Sequence, residues 1–509
     1  MSPELARVCV VIARTRHKMV QVELDEAYKA GARFIEVRLD YFSKAVDFKR
    51  LFEKKQCPWV FTLRKVKDGG RFAGSEEQRQ ALLRSAIVSG VDWIDLETEI
   101  ADEIRRFRDV KRIVSYHNFQ ETPANLEEIY EKMLKQDADV LKIVTMANHP
   151  NDSLRILKLI KEQKKPTVGH CMGEYGLPSR MIALVCGAPF MYCAFNSERN
   201  IAPGLLSLAE LKQIYQINGV NQDTKIFGLL GDPVSHSFSP ILHNSMFRKH
   251  KFNGLYVPFR VGRGQLAEMI PAYQELPVDG YSVTIPHKNA AMAFAKSLDE
   301  HSQETNALNT LVRTADGFSG CNTDYDAAMA CLKQAAPKDE NGATIELGNS
   351  SAIILGAGGA ARAIAYGLRR AGINQIYITS RTYSNSQQLA NEVQGKAVEW
   401  HLRHSFACDV VINCTPVGMH PNLDESPVHS SYLKPGMVVF DTIYNPENTL
   451  LIKDARNRGC QIITGVEMFV RQAAMQFQKF TNIDVPLDDM RECFRRALSP
   501  LRHTDEEAE

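Results

Sequence analysis

The sequence predicts an α/β protein in two parts: a (β/α)8 barrel over residues 1–218, then a second α/β region that holds a dinucleotide. Three observations predict it. Eight apolar runs recur before residue 200, at intervals of roughly 20 to 35 residues, which is the length of one strand-helix unit. Helix-like stretches lie between them, such as Glu76–Ser89, Leu126–Gln136 and Ser153–Gln163. Further on, a short apolar strand, a glycine-rich turn and an alanine-rich helix follow one another from Ala352 to Gly372. An open doubly wound sheet is the competing arrangement for the first part.

The eight runs are Val8–Ala13, Phe34–Leu39, Trp59–Leu63, Trp93–Leu96, Arg112–Tyr116, Val140–Val144, Thr167–Met172 and Met191–Phe195. Barrel chemistry sits at the C-terminal ends of the strands. Polar residues gather there: Glu36, Arg38 and Asp40 on the second run, Arg64 ending the third, Glu97 after the fourth. His117 follows the fifth, Lys142 interrupts the sixth and His170 lies in the seventh. Burial disfavours an ammonium ion, so Lys142 inside Val140–Val144 reads as an amine nucleophile for a carbonyl. A lysine paired with Glu36 in the barrel mouth is the alternative.

Ile217–Asp223 is a polar, turn-rich bridge, and the domain boundary is placed there. A new strand follows at Ile226–Leu230. In Gly231–Pro240, Ser237 and Ser239 stand two apart before a helix with proline at its start, as caps or as ligands for a polyol. Ser282–Lys288, Asn306–Thr310 and Asn322-Thr323-Asp324 come next. Asn322 or Thr323 suits the cap of a helix near Tyr325–Lys333, and Lys288 also reads as a solvated lysine.

The cradle is Gly356-Ala357-Gly358-Gly359-Ala360-Ala361, after the strand Ala352–Leu355. Its glycines let a backbone approach a pyrophosphate, and the following helix supplies free N–H groups and partial positive charge. After the next strand, Ile376–Thr379, stands Ser380-Arg381-Thr382, without the acid that holds the ribose of NAD. Arg381 suits the 2′-phosphate of NADP by charge and by its planar donor fork.

The bulk numbers are consistent with this plan. A chain of 509 residues needs two or three domains. Lys and Arg total 61 against 60 acids, so no global charge points to nucleic acid or membrane. The 11 cysteines form no C-x-x-C pair, which fits reduced thiols in a cytoplasmic protein. Residues 1–20 carry no signal-peptide pattern, no apolar run has membrane-spanning length, and no metal motif is present.

Ile35–Asp40, Thr62-Leu63-Arg64, Ser115–Phe119, Lys142-Ile143, Met172-Gly173 and Ser179-Arg180 resemble, in that order, the type I 3-dehydroquinate dehydratases. The resemblance covers residues 5–217. It implies a barrel that converts 3-dehydroquinate to 3-dehydroshikimate without a cofactor. It also implies that Lys142 forms the imine, that His117 is general base and acid, and that Glu36 orients or assists His117. Arg38, Arg64 and Arg180 would hold substrate. One stretch departs: the family has a hydroxyl residue followed by Ala-Pro-Gly-Gln, and here stands Ile201-Ala202-Pro203-Gly204-Leu205. A working site with weakened substrate binding is the expectation.

The motifs from Lys225 to Phe480 resemble shikimate dehydrogenase, joined by Asn413–Met419, Asp441–Pro446 and Gly465–Ala473. The resemblance implies reversible, NADPH-dependent reduction of 3-dehydroshikimate to shikimate. Lys288 and Asp324 fall on the catalytic pair, and Ser237, Ser239, Thr284, Asn309, Tyr444 and Gln472 on substrate contacts. NADP would meet Gly356 to Ala361, Ser380, Arg381, Thr382, Thr415, Gly465 and Met468. Ser380 replaces the family's usual Asn.

The expected layout is a barrel at 1–218, a substrate lobe at 224–325 and a nucleotide lobe at 326–480. A C-terminal helix, Met490–Leu498, would return to the substrate lobe, and the tail His503–Glu509 would be disordered. Taken whole, the chain resembles the fused dehydratase–dehydrogenases, with small-molecule substrates. The rivals are a dehydrogenase carrying a weakened barrel, a quinate dehydrogenase, and a regulator that reuses the domains. A regulator would be expected to lose Lys142, His117, Lys288 or Asp324, and all four are present.

Overall fold

The computed structural model describes residues 5–197, 201–335, 337–338 and 342–498; the tail His503–Glu509 lies outside them. The chain divides into two compact units at Val278 and Asp279.

The first unit opens with β1 (Leu5–Ile12), β2 (Ala32–Arg38), β3 (Trp59–Thr62), β4 (Trp93–Glu97), β5 (Lys111–His117), β6 (Val140–Met146), β7 (Thr167–Met172) and β8 (Met191–Ala194). All neighbours are parallel, in the order β7-β6-β5-β4-β3-β2-β1-β8. Because β1 pairs with both β2 and β8, the sheet wraps into a barrel closed except at the seam between β7 and β8. An open doubly wound sheet would instead reverse its strand order at a switch point.

Side chains alternate along a strand, so every second residue enters the barrel. Phe34, Val60, Ile113, Val140, Val168 and Phe190 form an apolar floor, with Trp93 packed against it. Phe34 meets Phe190 edge-on at 4.9 Å and Trp93 at 5.8 Å. Two residues further along each strand stand Glu36, Thr62, Asp95, Ser115, Lys142, His170 and Tyr192, all buried. The same alternation then delivers Arg38, Arg64, Glu97 and His117 to the mouth.

Beyond the barrel, β9 (Lys225–Gly231) and β10 (Gly254–Arg260) pair in parallel around the helix Ser239–Lys249. This segment belongs to the barrel's compact unit. The Tyr273 hydroxyl donates to Pro150 O at 2.9 Å, Lys158 pairs with Glu275 at 2.6 Å, and Arg260 pairs with Glu174 at 2.8 Å. The polar bridge is anchored too: Ile217 and Val220 are buried, and Arg7 donates to Val220 O at 3.2 Å.

The second unit contains β11 (Val278–Val283), β12 (Ala295–Leu298), β13 (Thr310–Thr314) and β14 (Gly317–Cys321), where β11, β13 and β14 run antiparallel and β12 joins β14 in parallel. Then come β15 (Ser351–Leu355), β16 (Gln375–Ser380), β17 (Lys396–Glu399), β18 (Val410–Asn413), β19 (Val438–Asp441) and β20 (Gln461–Ile463). They form a parallel sheet in the order β17-β16-β15-β18-β19-β20. The order reverses between β15 and β18, so a crevice opens at their C-terminal ends, where such sheets bind nucleotides. The last described helix, Leu487–Leu498, lies along Gly465–Thr481. Arg491 forks onto Glu467 at 2.7 and 2.8 Å, and Phe494 packs on Phe469 and Tyr444. Among the described residues, no helix is long and apolar enough to cross a membrane.

Candidate active site

The barrel mouth holds a cavity of about 60 Å³, lined among others by Glu36, Arg64, His117, Lys142, Arg180 and Tyr192. Lys142 Nζ lies 3.0 Å from Asp95 and 3.5 Å from Glu36, and 4.0 Å from the centre of the Tyr192 ring. Lys142 is therefore buried together with two carboxylates. The alternation that sends Lys142 inward sends Asp95 and Glu36 to the same level from β4 and β2. The pairing of Lys142 with Glu36, left open above, is present together with a closer contact to Asp95.

Asp95 was not singled out from the sequence. It also accepts from Arg64 at 3.0 Å and Ser115 at 2.6 Å. Burial alone would raise its pKa, but Lys142 and Arg64 outweigh burial and hold it at about 2. Glu36 accepts from Thr62 at 2.6 Å. Arg38 is taken by Asp40 in a two-pronged pair at 2.9 and 2.8 Å.

Arg64 donates toward the ring nitrogens of His117. Burial, and then Arg64 and Lys142, push the His117 pKa well below its ordinary value. The ring is thus neutral and can take a proton. Arg180 is fully buried, and burial lowers its pKa to about 10. It donates to Pro203 O at 3.1 Å, its Nε has no partner, and no carboxylate pairs with it among the described residues. A buried cation short of an anion suits a substrate carboxylate. Ile201 and Leu205 line the cavity and pack against the barrel floor, so the departing stretch joins the apolar core.

Ser237 and Ser239 lie in the first unit at the start of the helix Ser239–Lys249, with their hydroxyls 3.2 Å apart. Ser237 Oγ accepts from the Ser239 N–H at 3.2 Å, the first of that helix, in keeping with the capping reading, whereas Phe238 at the cap position caps nothing with its side chain. Likewise Asn322 precedes the helix Thr323–Gln334 without capping it; its Nδ2 bonds Thr305 Oγ1 at 3.2 Å and Ala307 O at 3.1 Å.

In the second unit Lys288 and Asp324 form a direct ion pair. Next to it, Asn309 donates to Thr323 Oγ1 at 2.9 Å, and Thr323 donates to the Gln472 carbonyl at 3.3 Å. Gln476, one helical turn beyond Gln472, is fully engaged. It accepts from Ser282 at 2.8 Å and donates to Asn309 O and Thr310 Oγ1 at 3.0 Å. The sequence reading passed over Gln476. Tyr444 stacks on Phe469 at 4.4 Å, and Thr284 is half-buried beside the turn to His287.

The glycine turn fits a dinucleotide. Gly356 has φ +115°, and a Cβ there would meet Cys414 O at 2.8 Å. At Gly358 a Cβ would meet nothing within 4 Å, which leaves room before a helix whose first N–H groups are not capped by a side chain. A Cβ at Gly359 would lie 3.4 Å from Lys288 Cδ, so the cradle begins beside the ion pair. Thr415 is turned back on Asn413, bonded through both its N–H and its hydroxyl at 3.0 and 2.7 Å. Gly465 begins a helix directly against Ile443 O, and Met468 is buried in the sheet's core. Ser380 bonds Thr382 O at 2.8 Å and Ser386 at 2.7 Å, fixing the turn that carries exposed Arg381. Arg362 is consumed by Glu392, whereas no carboxylate pairs with Arg381 among the described residues.

Fold and clusters define a class: a barrel with a carboxylate-flanked inward lysine, joined to a nucleotide-binding α/β unit with a Lys–Asp pair. Family models agree. Residues 8–222 match type I 3-dehydroquinase, 229–311 the shikimate dehydrogenase substrate binding domain, 340–449 shikimate / quinate 5-dehydrogenase, and 465–492 the shikimate 5′-dehydrogenase C-terminal domain. The chain is 34% identical over 497 residues to the chloroplastic bifunctional 3-dehydroquinate dehydratase/shikimate dehydrogenase of Arabidopsis thaliana, covering 94% of this chain and 82% of that protein. It is 32% identical over 391 residues to the shikimate biosynthesis protein AroDE of Chlamydia pneumoniae, covering 76% and 77%. A crystal structure of a shikimate dehydrogenase with NADP+ matches 55% of this chain and 98% of that one, at 34% identity and a TM-score of 0.50. The chain belongs to the bifunctional 3-dehydroquinate dehydratase/shikimate dehydrogenase family.

Proposed function

We propose that this chain dehydrates 3-dehydroquinate to 3-dehydroshikimate in its barrel and reduces 3-dehydroshikimate to shikimate with NADPH through Lys288 and Asp324. The observation that carries the reading is that both reacting centres are equipped: a carboxylate-flanked Lys142 beside a neutral His117, and a Lys288–Asp324 pair beside an open glycine turn. The domain layout 1–218, 224–325, 326–480 and 481–509 is part of the proposal.

In the barrel, the Lys142 amine attacks the substrate ketone, the ketone oxygen leaves as water, and an iminium forms. The iminium draws electrons from the neighbouring C–H bond. His117 takes that proton and returns it to the departing hydroxyl, which leaves as a second water. Hydrolysis of the iminium then consumes one water and frees the lysine. Asp95 and Glu36 face positive charge at the same nitrogen before and after imine formation, so they need no rearrangement. Arg180 binds the substrate carboxylate.

In the dehydrogenase, the glycine turn and Arg381 would hold NADPH, which supplies the hydride when bound. Lys288 holds the proton that the substrate oxygen takes, and Asp324 fixes the lysine. Asn309 is held in place for the polyol by Thr323 and Gln476.

The test is NADPH oxidation started from 3-dehydroquinate, which needs both sites. Lys142→Ala should abolish it while leaving turnover of added 3-dehydroshikimate intact; Lys288→Ala or Asp324→Asn should abolish both. A wild-type chain that reduces 3-dehydroshikimate but ignores 3-dehydroquinate would leave only the dehydrogenase.

A further inference from the structure

We infer that Tyr192 is a further catalytic residue of the barrel, whose hydroxyl donates to the substrate oxygen that leaves as water when Lys142 forms its imine. The inference rests on the dehydratase reading above.

Tyr192 lies on β8 with 5% of its surface exposed and lines the same cavity as Lys142. Its ring faces Nζ at 4.0 Å. The amine that must attack a carbonyl therefore rests on an aromatic face, with Asp95 and Glu36 as its carboxylate neighbours. The face attracts positive charge, and so favours the ammonium and the iminium alike. Its hydroxyl is buried and has no hydrogen-bond partner. Buried tyrosine hydroxyls ordinarily find one, so an orphan beside a reacting nitrogen calls for an explanation. Burial, with Cys9 and Glu36 nearby, raises its pKa well above the ordinary value, so the group stays a neutral donor.

Imine formation creates the acceptor this donor lacks. When Nζ adds to the ketone, the carbonyl π electrons move to oxygen, and that oxygen is separated from Nζ by one carbon atom. Nζ lies over the Tyr192 ring, so an oxygen one carbon removed from it can approach the hydroxyl at the ring's edge. The added nitrogen gives up one proton and the oxygen takes it, which gives the carbinolamine. The oxygen takes a second proton, from solvent, as the C–O bond breaks, and water departs as the nitrogen lone pair forms C=N⁺. A hydroxyl that donates to this oxygen stabilises the charge it carries through both stages and requires no net proton from tyrosine. Arg180 and His170, which line the same cavity, are engaged differently: Arg180 awaits an anion, and burial and Arg180 keep His170 neutral.

The experiment uses the full chain. Wild type and Tyr192→Phe are mixed with 3-dehydroquinate, quenched with borohydride at successive times, and the reduced adduct on Lys142 is quantified. A second measurement compares substrate deuterated at the abstracted C–H position. Losing one neutral hydrogen bond should slow adduct formation roughly two- to tenfold. The final extent of the adduct should not change, and the deuterium effect on turnover should shrink as imine formation becomes limiting. A purely structural tyrosine would not move the isotope effect. Tyr192→Leu should slow the reaction further, because the ring is lost too. Shikimate oxidation by each variant, unchanged, verifies folding of the rest of the chain. Tyr192→Phe trapping at the wild-type rate with an unaltered isotope effect would overturn the inference. Absence of an adduct on wild-type Lys142 would overturn the dehydratase reading beneath it.

Discussion

Asp95→Asn separates the support of the barrel site from its chemistry. The carboxylate is buried, bonded to Arg64, Ser115 and Lys142, and held at about 2 against an ordinary value of 3.8. That difference corresponds to about 2–3 kcal/mol of stability. The folded pKa is depressed, so the contribution is fully present above pH 4 and is lost as pH falls from about 4 to about 2. The amide is isosteric but takes from Arg64 its carboxylate partner and leaves Lys142 with Glu36 alone. Breaking such a pair costs roughly 3–5 kcal/mol. We expect Asp95→Asn to lose that amount at pH 7, and the gap from wild type to narrow by about 2–3 kcal/mol near pH 2. Urea unfolding at several pH values measures it, followed by the fluorescence of Trp59 and Trp93 in a Trp400→Phe background, which removes the third tryptophan. A gap that stays constant as pH falls would refute the electrostatic account. A gap under about 1 kcal/mol at pH 7 would show that the pair is not load-carrying.

Three further outcomes follow from the same geometry. Arg381→Ala should weaken NADPH binding by roughly 1.5–3 kcal/mol and leave NADH nearly unaffected, read as the two KM values; an unchanged preference would remove Arg381 from the 2′-phosphate site. The acidic limb of dehydratase kcat/KM should lie well below pH 6.5, because burial and Arg64 keep His117 neutral, and Arg64→Gln should move it upward; a wild-type limb at pH 6.5 would contradict this. Ile201→Ser with Leu205→Gln should lower KM for 3-dehydroquinate with kcat little changed, while thermal unfolding reports a loss of about 1–3 kcal/mol as two partly buried apolar side chains leave the floor. An unchanged KM would mean that other residues form the lid.

The barrel was legible because its rule is local. Alternation on eight runs gives the inward face, and a lysine inside Val140–Val144 stands out against it. Asp95 was harder to see. In Trp93-Ile94-Asp95-Leu96 it reads as one polar break in a short run, and its partners, Arg64 just past β3 and Lys142 on β6, lie 31 and 47 residues away. Only closure of the sheet brings them together. The cradle was legible from Gly356 and its neighbours because backbone approach demands glycine whatever the fold around it. Gln476 was not, since a glutamine on a helix gains meaning only from what it faces, and Ser282, Asn309 and Thr310 come from distant strands. Nor could the sequence reveal what ties Ile217–Asp223 down. Its polar composition suits a linker, while the buried Ile217 and Val220 and the reach of Arg7 tie it down.

Arg180 provides the sharpest test of whether the mouth is built for an anion, because stability and function should move in opposite directions. Burial pushes its pKa down to about 10, and with no carboxylate beside it among the described residues that displacement is a cost to folding with a ceiling of about 3 kcal/mol. Its folded pKa is depressed but stays well above neutral, so at pH 7 the guanidinium remains charged, its burial costs stability, and removing the charge relieves that cost. Arg180→Gln gives up the bond to Pro203 O, worth about 1 kcal/mol, so the net change should be a stabilisation of about 1–2 kcal/mol. The same variant loses a charge-assisted contact to the substrate carboxylate, worth roughly 1.5–3 kcal/mol, or about ten- to 150-fold in KM. Thermal unfolding and 3-dehydroquinate kinetics on one preparation measure both. A variant both less stable and unaltered in KM would mean that Arg180 supports the fold and does not meet the substrate. A raised melting temperature with a raised KM is the signature of a charge retained for its ligand at the expense of the empty protein.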